Sequence, residues 1–366
     1  MPLTILPYIS GVAALPWIII GFIVNSILCY CLNPSSVIKA MKAFGKVLLF
    51  VFIPLLQFRI FLSIPFGLSE ISFSITAVAV MLLLYLVSYY SSKLRSRSLK
   101  LCIMENQEFL KTCLTNQGRS SAFIGGSLLS IAAWEIQASL YMALYGVFLF
   151  VLIPIALSRM SKKDVLPKEL QDMSSPADVD LESNHTPVKP TSPIPLYLQI
   201  FPVFLLVTIA IAIILNRMFD ITMESLGKPG EYIHLVSAFT VPLGLYYAGS
   251  GVKAEDLKWM NISQVFSTQS QSLALRSTSF TLFINLVISP LIIGSIFGVL
   301  TLFKIIDTSW FSVIFINTIL PTTPTNIFLE EFGINKKATA LTVSTSTALG
   351  VPLVLIMIPL LNGIFN

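Results

Sequence analysis

Long apolar stretches alternate with short polar segments along all 366 residues. About 20 consecutive apolar residues cross a bilayer as a helix. Ten such runs stand out. Roughly 11–32, 45–64, 71–92, 108–131 and 135–158 fall in the first half. In the second half lie 195–216, 232–252, 278–303, 309–329 and 338–363. Between the two sets, 159–194 is rich in Ser, Pro, Lys and Asp and predicts a solvated linker. The expected organisation is a five-helix unit over 1–158, the linker, and a second five-helix unit over 195–366.

Composition supports the same pattern. Hydrophobic residues make up 55% of the chain and charged residues only 11%, against about 25% in soluble globular proteins. So few charges exclude a soluble enzyme, and so much hydrophobicity excludes a disordered chain. The chain is expected to be an all-α polytopic membrane protein. Lys39 is the first charged residue, so no positive region precedes the first run and no cleavable signal peptide is expected. Cys29, Cys31, Cys102 and Cys113 form no C-x-x-C pair, and no metal or cofactor is expected.

Charge placement gives the orientation. If the loops alternate sides, one side holds eighteen of the 23 Lys and Arg, counting Lys46 and Lys111 at that side's ends of their runs, among them Lys93, Arg95, Arg97, Lys162, Lys163, Lys336 and Lys337. The other side holds Arg217, Lys228 and Lys304, and Arg59 and Arg119 fall within spans. The richer side is the cytoplasmic one by the positive-inside rule, which puts the linker inside and both termini outside. The net charge of +5 is accounted for by this placement, and no nucleic-acid partner is expected.

Five spans on each side of the linker force the halves into opposite orientations, the inverted-repeat plan of many secondary transporters. Phe52-Ile53-Pro54-Leu55 and Thr240-Val241-Pro242-Leu243 match weakly at the second position of each half. Pro54 and Pro242 are candidate hinges or kinks, although prolines are frequent in membrane helices. The fourth spans carry more. One reads Thr115-Asn116-Gln117-Gly118-Arg119-Ser120-Ser121, the other Pro321-Thr322-Thr323-Pro324-Thr325-Asn326. Both put Gly or Pro among polar residues mid-span. Backbone freed there survives only where protein or water satisfies it. Two such breaks crossing at mid-membrane, with positive helix ends, would suit an anion.

The second stretch, continuing through Phe332-Gly333-Ile334-Asn335 and Ala340-Leu341-Thr342-Val343-Ser344-Thr345-Ser346-Thr347, resembles the last two helices of the auxin efflux carrier family. That family includes the plant PIN and PILS carriers and malate-permease-like transporters. Val241-Pro242-Leu243-Gly244-Leu245 resembles its seventh helix, Phe52-Ile53-Pro54-Leu55 its second, and Asn116 with Gly125 its fourth. The likeness is strong from about 236 onward. One departure is Gly118-Arg119, where the family often has proline. The resemblance implies ten helices as two inverted repeats, with crossing broken helices 4 and 9. It implies a scaffold (spans 1, 2, 6, 7), a transport unit (spans 3–5, 8–10), elevator-type movement and a homodimer.

Candidate substrate-binding residues are Asn116, Gln117, Arg119, Thr322, Thr323, Thr325 and Asn326, with Gly118, Pro321 and Pro324 as the breaks. Arginine at mid-membrane costs about 2.5–3.5 kcal/mol on insertion scales, so Arg119 needs a partner. Its planar fork fits a carboxylate; alternatively it snorkels to the cytoplasmic edge. Asn116 and Gln117 either bind substrate or satisfy the broken backbone. Arg59, near Gln57, is expected to snorkel outward. Ser344–Thr347 are expected to pack helices or bond backbone, Glu70 and Glu135 to be solvated, and His234, Trp134 and Trp310 to sit at membrane interfaces. His185 in the linker is expected to be inert.

No Asp or Glu falls well inside any span, which argues against a carboxylate-based cation/proton antiporter. No nucleotide loop and no catalytic triad are evident, so neither an ATP-driven motor nor an enzyme is expected. The function expected is secondary transport of a small organic anion across the plasma membrane. Alternatives are a sodium-coupled bile-acid-type symporter of the same architecture and a transporter-like membrane sensor.

Overall fold

The computed structural model describes residues 16–63, 67–121, 128, 131, 133–162, 196–252, 265, 272–323, 326, 329 and 332–365. Among them the chain is all-helical, in eleven helices with one isolated bridge. In the first half these are α1 (Trp17–Cys31), α2 (Pro34–Ser63), α3 (Leu68–Ser98), α4 (Ile103–Thr115) and α5 (135–162). In the second they are α6 (Leu196–Phe219), α7 (Lys228–Ala238), α8 (Thr240–Ser250), α9 (Leu273–Leu302), α10 (Thr308–Ile319) and α11 (Lys336–Phe365). Most of the linker, with Lys163 and His185, lies outside the described residues.

Four helices, α2, α3, α9 and α11, are long and apolar enough to cross a membrane, with mean hydropathy of 1.9–2.3 over their most apolar stretches. At 1.5 Å per residue, roughly 30 residues give about 45 Å, enough for a tilted crossing. Their outward faces are apolar, as at Ile75, Leu86, Leu291 and Ile356. The chain is an integral, multi-pass membrane protein.

Several helices start earlier than their hydrophobic runs, and in α2 and α3 caps set the boundary. Asn33 Oδ1 accepts from Ser35 N at 3.0 Å and Pro34 occupies the first turn, so α2 begins eleven residues before its run and carries Lys39, Lys42 and Lys46 on its exposed side. Glu70 Oε2 accepts from Gly67 N at 2.7 Å at the start of α3. Glu70 is therefore a cap as well as a solvated residue.

Prolines shape three of the helices. Single π-turns occupy Leu48–Phe52 in α2, Phe148–Leu152 in α5 and Ile284–Ile288 in α9. Each ends two residues before a proline: Pro54, Pro154 and Pro290. Proline donates no hydrogen bond and its ring crowds the carbonyl four residues back. In all three helices that carbonyl lies inside the π-turn, whose wider winding moves it clear. Phe52 O in the first π-turn accepts from Thr240 Oγ1 of α8 at 3.1 Å. Pro242 acts differently: α7 and α8 part at Phe239, three residues before it. Pro54 and Pro242 thus mark a π-turn and a helix break respectively.

The main contacts sort the helices into two groups. In one, α1 packs on α8, and α2 on α6 and α7. In the other, α3 packs on α4 and α5, while α9 packs on α4, α10 and α11. The helix α10 also meets α5, and α5 touches α6 to join the groups. Close approach of α1 and α8 requires glycine on both sides. A Cβ on Gly21 would run into Tyr246 O, and one on Gly249 into Ile18 O. Trp134 was expected at an interface but is fully buried at the start of α5, because α5 lies against both α3 and α10. Trp310 is half-buried, edge-on to Phe73 with ring centres 5.4 Å apart.

Candidate functional site

The helices α4 and α10 both stop short. Asn116 and Gln117 form a turn after Thr115, and the chain then runs without helix to Ser120. Leu320 is extended after Ile319 (φ −58°, ψ 144°), and Pro321 follows. The two irregular segments pair antiparallel, with Arg119 opposite Thr322. Ser120 N donates to Pro321 O at 2.8 Å, and Thr323 N donates to Gly118 O at 2.8 Å. The bonds flank the Arg119–Thr322 pair, which puts those side chains close together.

Other elements satisfy the rest of the freed backbone, as burial in a membrane demands. Tyr145 of α5 clamps one side. Its hydroxyl donates to Gln117 O at 2.6 Å and accepts from Arg119 N at 2.8 Å. Ser346 Oγ of α11 accepts from Thr322 N at 3.0 Å. Asn116 O accepts from Asn285 Nδ2 of α9 (3.2 Å) and from Thr322 Oγ1 (3.3 Å). Asn326 Nδ2 donates to Thr115 O (2.9 Å) and to Gly118 O (3.3 Å). Ser121 Oγ donates to Asn317 Oδ1 at 2.8 Å. Gly118 is needed for space: a Cβ there would sit 2.5 Å from Asn326 Oδ1 and 2.7 Å from Leu149 Cδ1.

The geometry thus brings together Asn116, Gln117, Gly118, Arg119, Pro321, Thr322, Thr323 and Asn326, all buried. Pro324, Thr325 and Gly125 lie outside the described residues. So do the segments following each break, where positive helix ends were expected. The described helix ends at the pairing are the C-terminal ends of α4 and α10.

Arg119 is 4% exposed and does not snorkel to an edge. Nη1 donates to Leu320 O at 3.4 Å, and Nη2 has no partner among the described residues. Among the described residues, the ionisable groups beside it are the phenols of Tyr145, Tyr141 and Tyr85. A buried guanidinium with a free N–H edge and no counter-ion among the described residues is costly alone and well suited to an incoming anion. Gln117 Nε2 and Ser120 Oγ are likewise buried without partners among the described residues. These three groups are donors, or can be.

Tyr145 and Asn285 at the site escaped sequence reading. An aromatic in an apolar span gives no sign of a backbone clamp. Ser346, expected to pack helices or bond backbone, does bond backbone, accepting from Thr322 N and donating to Val343 O. Asn285, an amide deep in an uncharged span, was the one available signal. Arg59 also departs from expectation. Its Nη1 donates to Ser237 Oγ at 3.2 Å, because α2 packs on α7 and offers a nearer partner than water. Gln57 is buried, with Oε1 unpartnered.

No family model matches this sequence, and no curated protein matches it. The likeness to auxin efflux carriers therefore rests on the motifs quoted above.

Proposed function

We propose that the chain is a secondary transporter of auxin efflux carrier type that moves small organic anions by elevator-type alternating access. The observation that carries this reading is the unpaired Nη2 of buried Arg119 at the junction of two interrupted segments. A carboxylate there would receive charge-assisted hydrogen bonds from Arg119, with Gln117 Nε2 and Ser120 Oγ as further donors. Asn116, Thr322, Thr323 and Asn326 would shape the site, with Thr325 adjoining in sequence.

The finer architecture is part of the proposal: ten passes as two inverted five-helix repeats, with α7 and α8 read as one interrupted pass. The two contact groups support a division of labour. The group of α1, α2, α6, α7 and α8 corresponds to the scaffold. The group of α3, α4, α5, α9, α10 and α11 corresponds to the moving unit and carries the whole candidate site. Sliding of one group against the other would expose the site to each side in turn. A homodimer in the plasma membrane, with cytoplasmic linker and external termini, completes the proposal.

The test is charge movement in reconstituted proteoliposomes on rapid addition of malate, other dicarboxylates or aromatic acetates. A saturable current from one anion, lost in Arg119→Gln, is the expected result. Thermal stabilisation by an anion without any flux would favour the sensor reading instead.

A further inference from the structure

The first turns of α2 carry three lysines on one stripe. Lys39, Lys42 and Lys46 are exposed. An α-helix turns about 100° and rises about 1.5 Å per residue. The three therefore fall within about 60° of the circumference and about 10 Å of the length. Val37, Phe44 and Leu48 lie about half a turn away, on the face towards the protein. Val37 and Leu48 are buried there. The Phe44 ring meets Tyr246 and Tyr247 of α8 edge-on, with ring centres 5.9 and 6.2 Å apart. These contacts fix the rotation of α2, so its lysine stripe faces away from the protein.

Depth in the membrane follows from length. Hydrocarbon takes up about 20 residues of a helix, and α2 has 30. The turns left over are those before the apolar run, and they hold Lys39 and Lys42. Lys46 stands at the boundary, where its long stem reaches back to the polar level. The neighbours of the stripe are not those of a face in water. Ile38 and Val47 flank it in the open, and Tyr30 and Leu32, just before α2, are exposed as well. Lysines beside exposed apolar and aromatic side chains suit the headgroup level of a bilayer. In the orientation read from the charges this end is cytoplasmic, and the cytoplasmic leaflet is the anionic one.

We propose that Lys39, Lys42 and Lys46 form a binding site for the phosphate headgroup of an anionic phospholipid, whose acyl chains lie against the exposed Val47 and Val51. Ammonium groups bind phosphate as point charges, without the planar fork that a bidentate site needs. The stripe belongs to the other contact group from Arg119, so the lipid is a ligand of α2 and not the transported anion. Binding in detergent tests the stripe whichever way the chain is inserted, and whether or not it transports.

The test is thermal unfolding of the purified full chain in neutral detergent micelles doped with phosphatidylglycerol or, in parallel, phosphatidylcholine. The expected result is a saturable rise in Tm with phosphatidylglycerol that exceeds the response to phosphatidylcholine and shrinks as salt is raised. Each lysine changed to Gln is expected to raise half-saturation about fivefold, and Lys39→Gln/Lys42→Gln/Lys46→Gln together about a hundredfold. Changing the same three to Arg should keep the response. Arg95→Gln/Arg97→Gln/Lys100→Gln removes as many exposed charges from the end of α3 and should leave half-saturation unchanged. Soluble glycerophosphate at the same concentration should give no shift. Equal responses to the two lipids, or a response that survives the α2 triple variant, would overturn the proposal. So would equal losses in the α2 and α3 triple variants, or a shift with glycerophosphate as large as with the lipid.

Discussion

At the scale of single residues, the site is held by hydrogen bonds that leave selected atoms over. Tyr145 is the clearest structural member, bridging Gln117 O and Arg119 N with one hydroxyl. Tyr145→Phe strands two buried backbone groups, at a cost of about 1–3 kcal/mol for each unsatisfied group. The expected outcome is a lower Tm and weaker anion response in the same protein preparation. Arg119 behaves oppositely. Its charge is buried without a carboxylate among the described residues, so Arg119→Gln should raise Tm by a few degrees while abolishing anion-driven current. Arg119→Lys should not restore the current, since a point charge lacks the planar fork. A lower Tm in Arg119→Gln would mean that the guanidinium serves the fold. Gly118→Ala places a methyl against Asn326 and Leu149 and should disturb the pairing directly, seen as loss of both stability and current.

Helical elements owe their interruptions to proline and glycine chemistry, and here sequence and structure can be compared piece by piece. The breaks after Thr115 and Ile319 were legible, because Gly118 and Pro321 stand among polar residues inside apolar runs. The pairing between them was not, since nothing local to either segment names its partner. The π-turns were not read either, although their cause was visible in Pro54, Pro154 and Pro290. A proline announces lost bonding four residues back, but whether the helix kinks, splits or widens depends on the helix beside it. Pro242 splits a helix, whereas Pro54 widens one and hands a carbonyl to Thr240. Pro290→Ala should let Ile284–Ile288 regain regular helical bonding. Hydrogen exchange over that turn is expected to slow, and Asn285 would be re-aimed away from Asn116. Unchanged exchange would show that packing, not proline, holds the turn. The contact of α1 with α8 permits a sharper expectation. Gly21→Ala or Gly249→Ala should cost several kcal/mol or prevent folding, because backbone stands in the way of the new methyl.

At the scale of the whole molecule, hydrophobic pattern and charge placement announced a multi-pass membrane protein, and the four long apolar helices agree. The orientation remains the proposal made from the lysines and arginines. A single cysteine placed in the linker, in a background without Cys29, Cys31, Cys102 and Cys113, should react with an impermeant maleimide only after cells are opened. Reaction in intact cells would invert the topology. The grouping of the helices was beyond sequence reading without the resemblance, because apolar faces do not specify which neighbour they meet. The proposed function turns on one feature of that grouping: the described residues of the candidate site follow α4 and α10 and bond to α5, α9 and α11.

The most direct measurement is the anion-evoked current of proteoliposomes, wild type against Arg119→Gln, at matched protein content and with folding verified by monodispersity and Tm. A saturable current in the wild type that disappears in the variant is the predicted result. Equal currents in the two would contradict the claim that the unpaired guanidinium at the junction of the broken segments carries the anion.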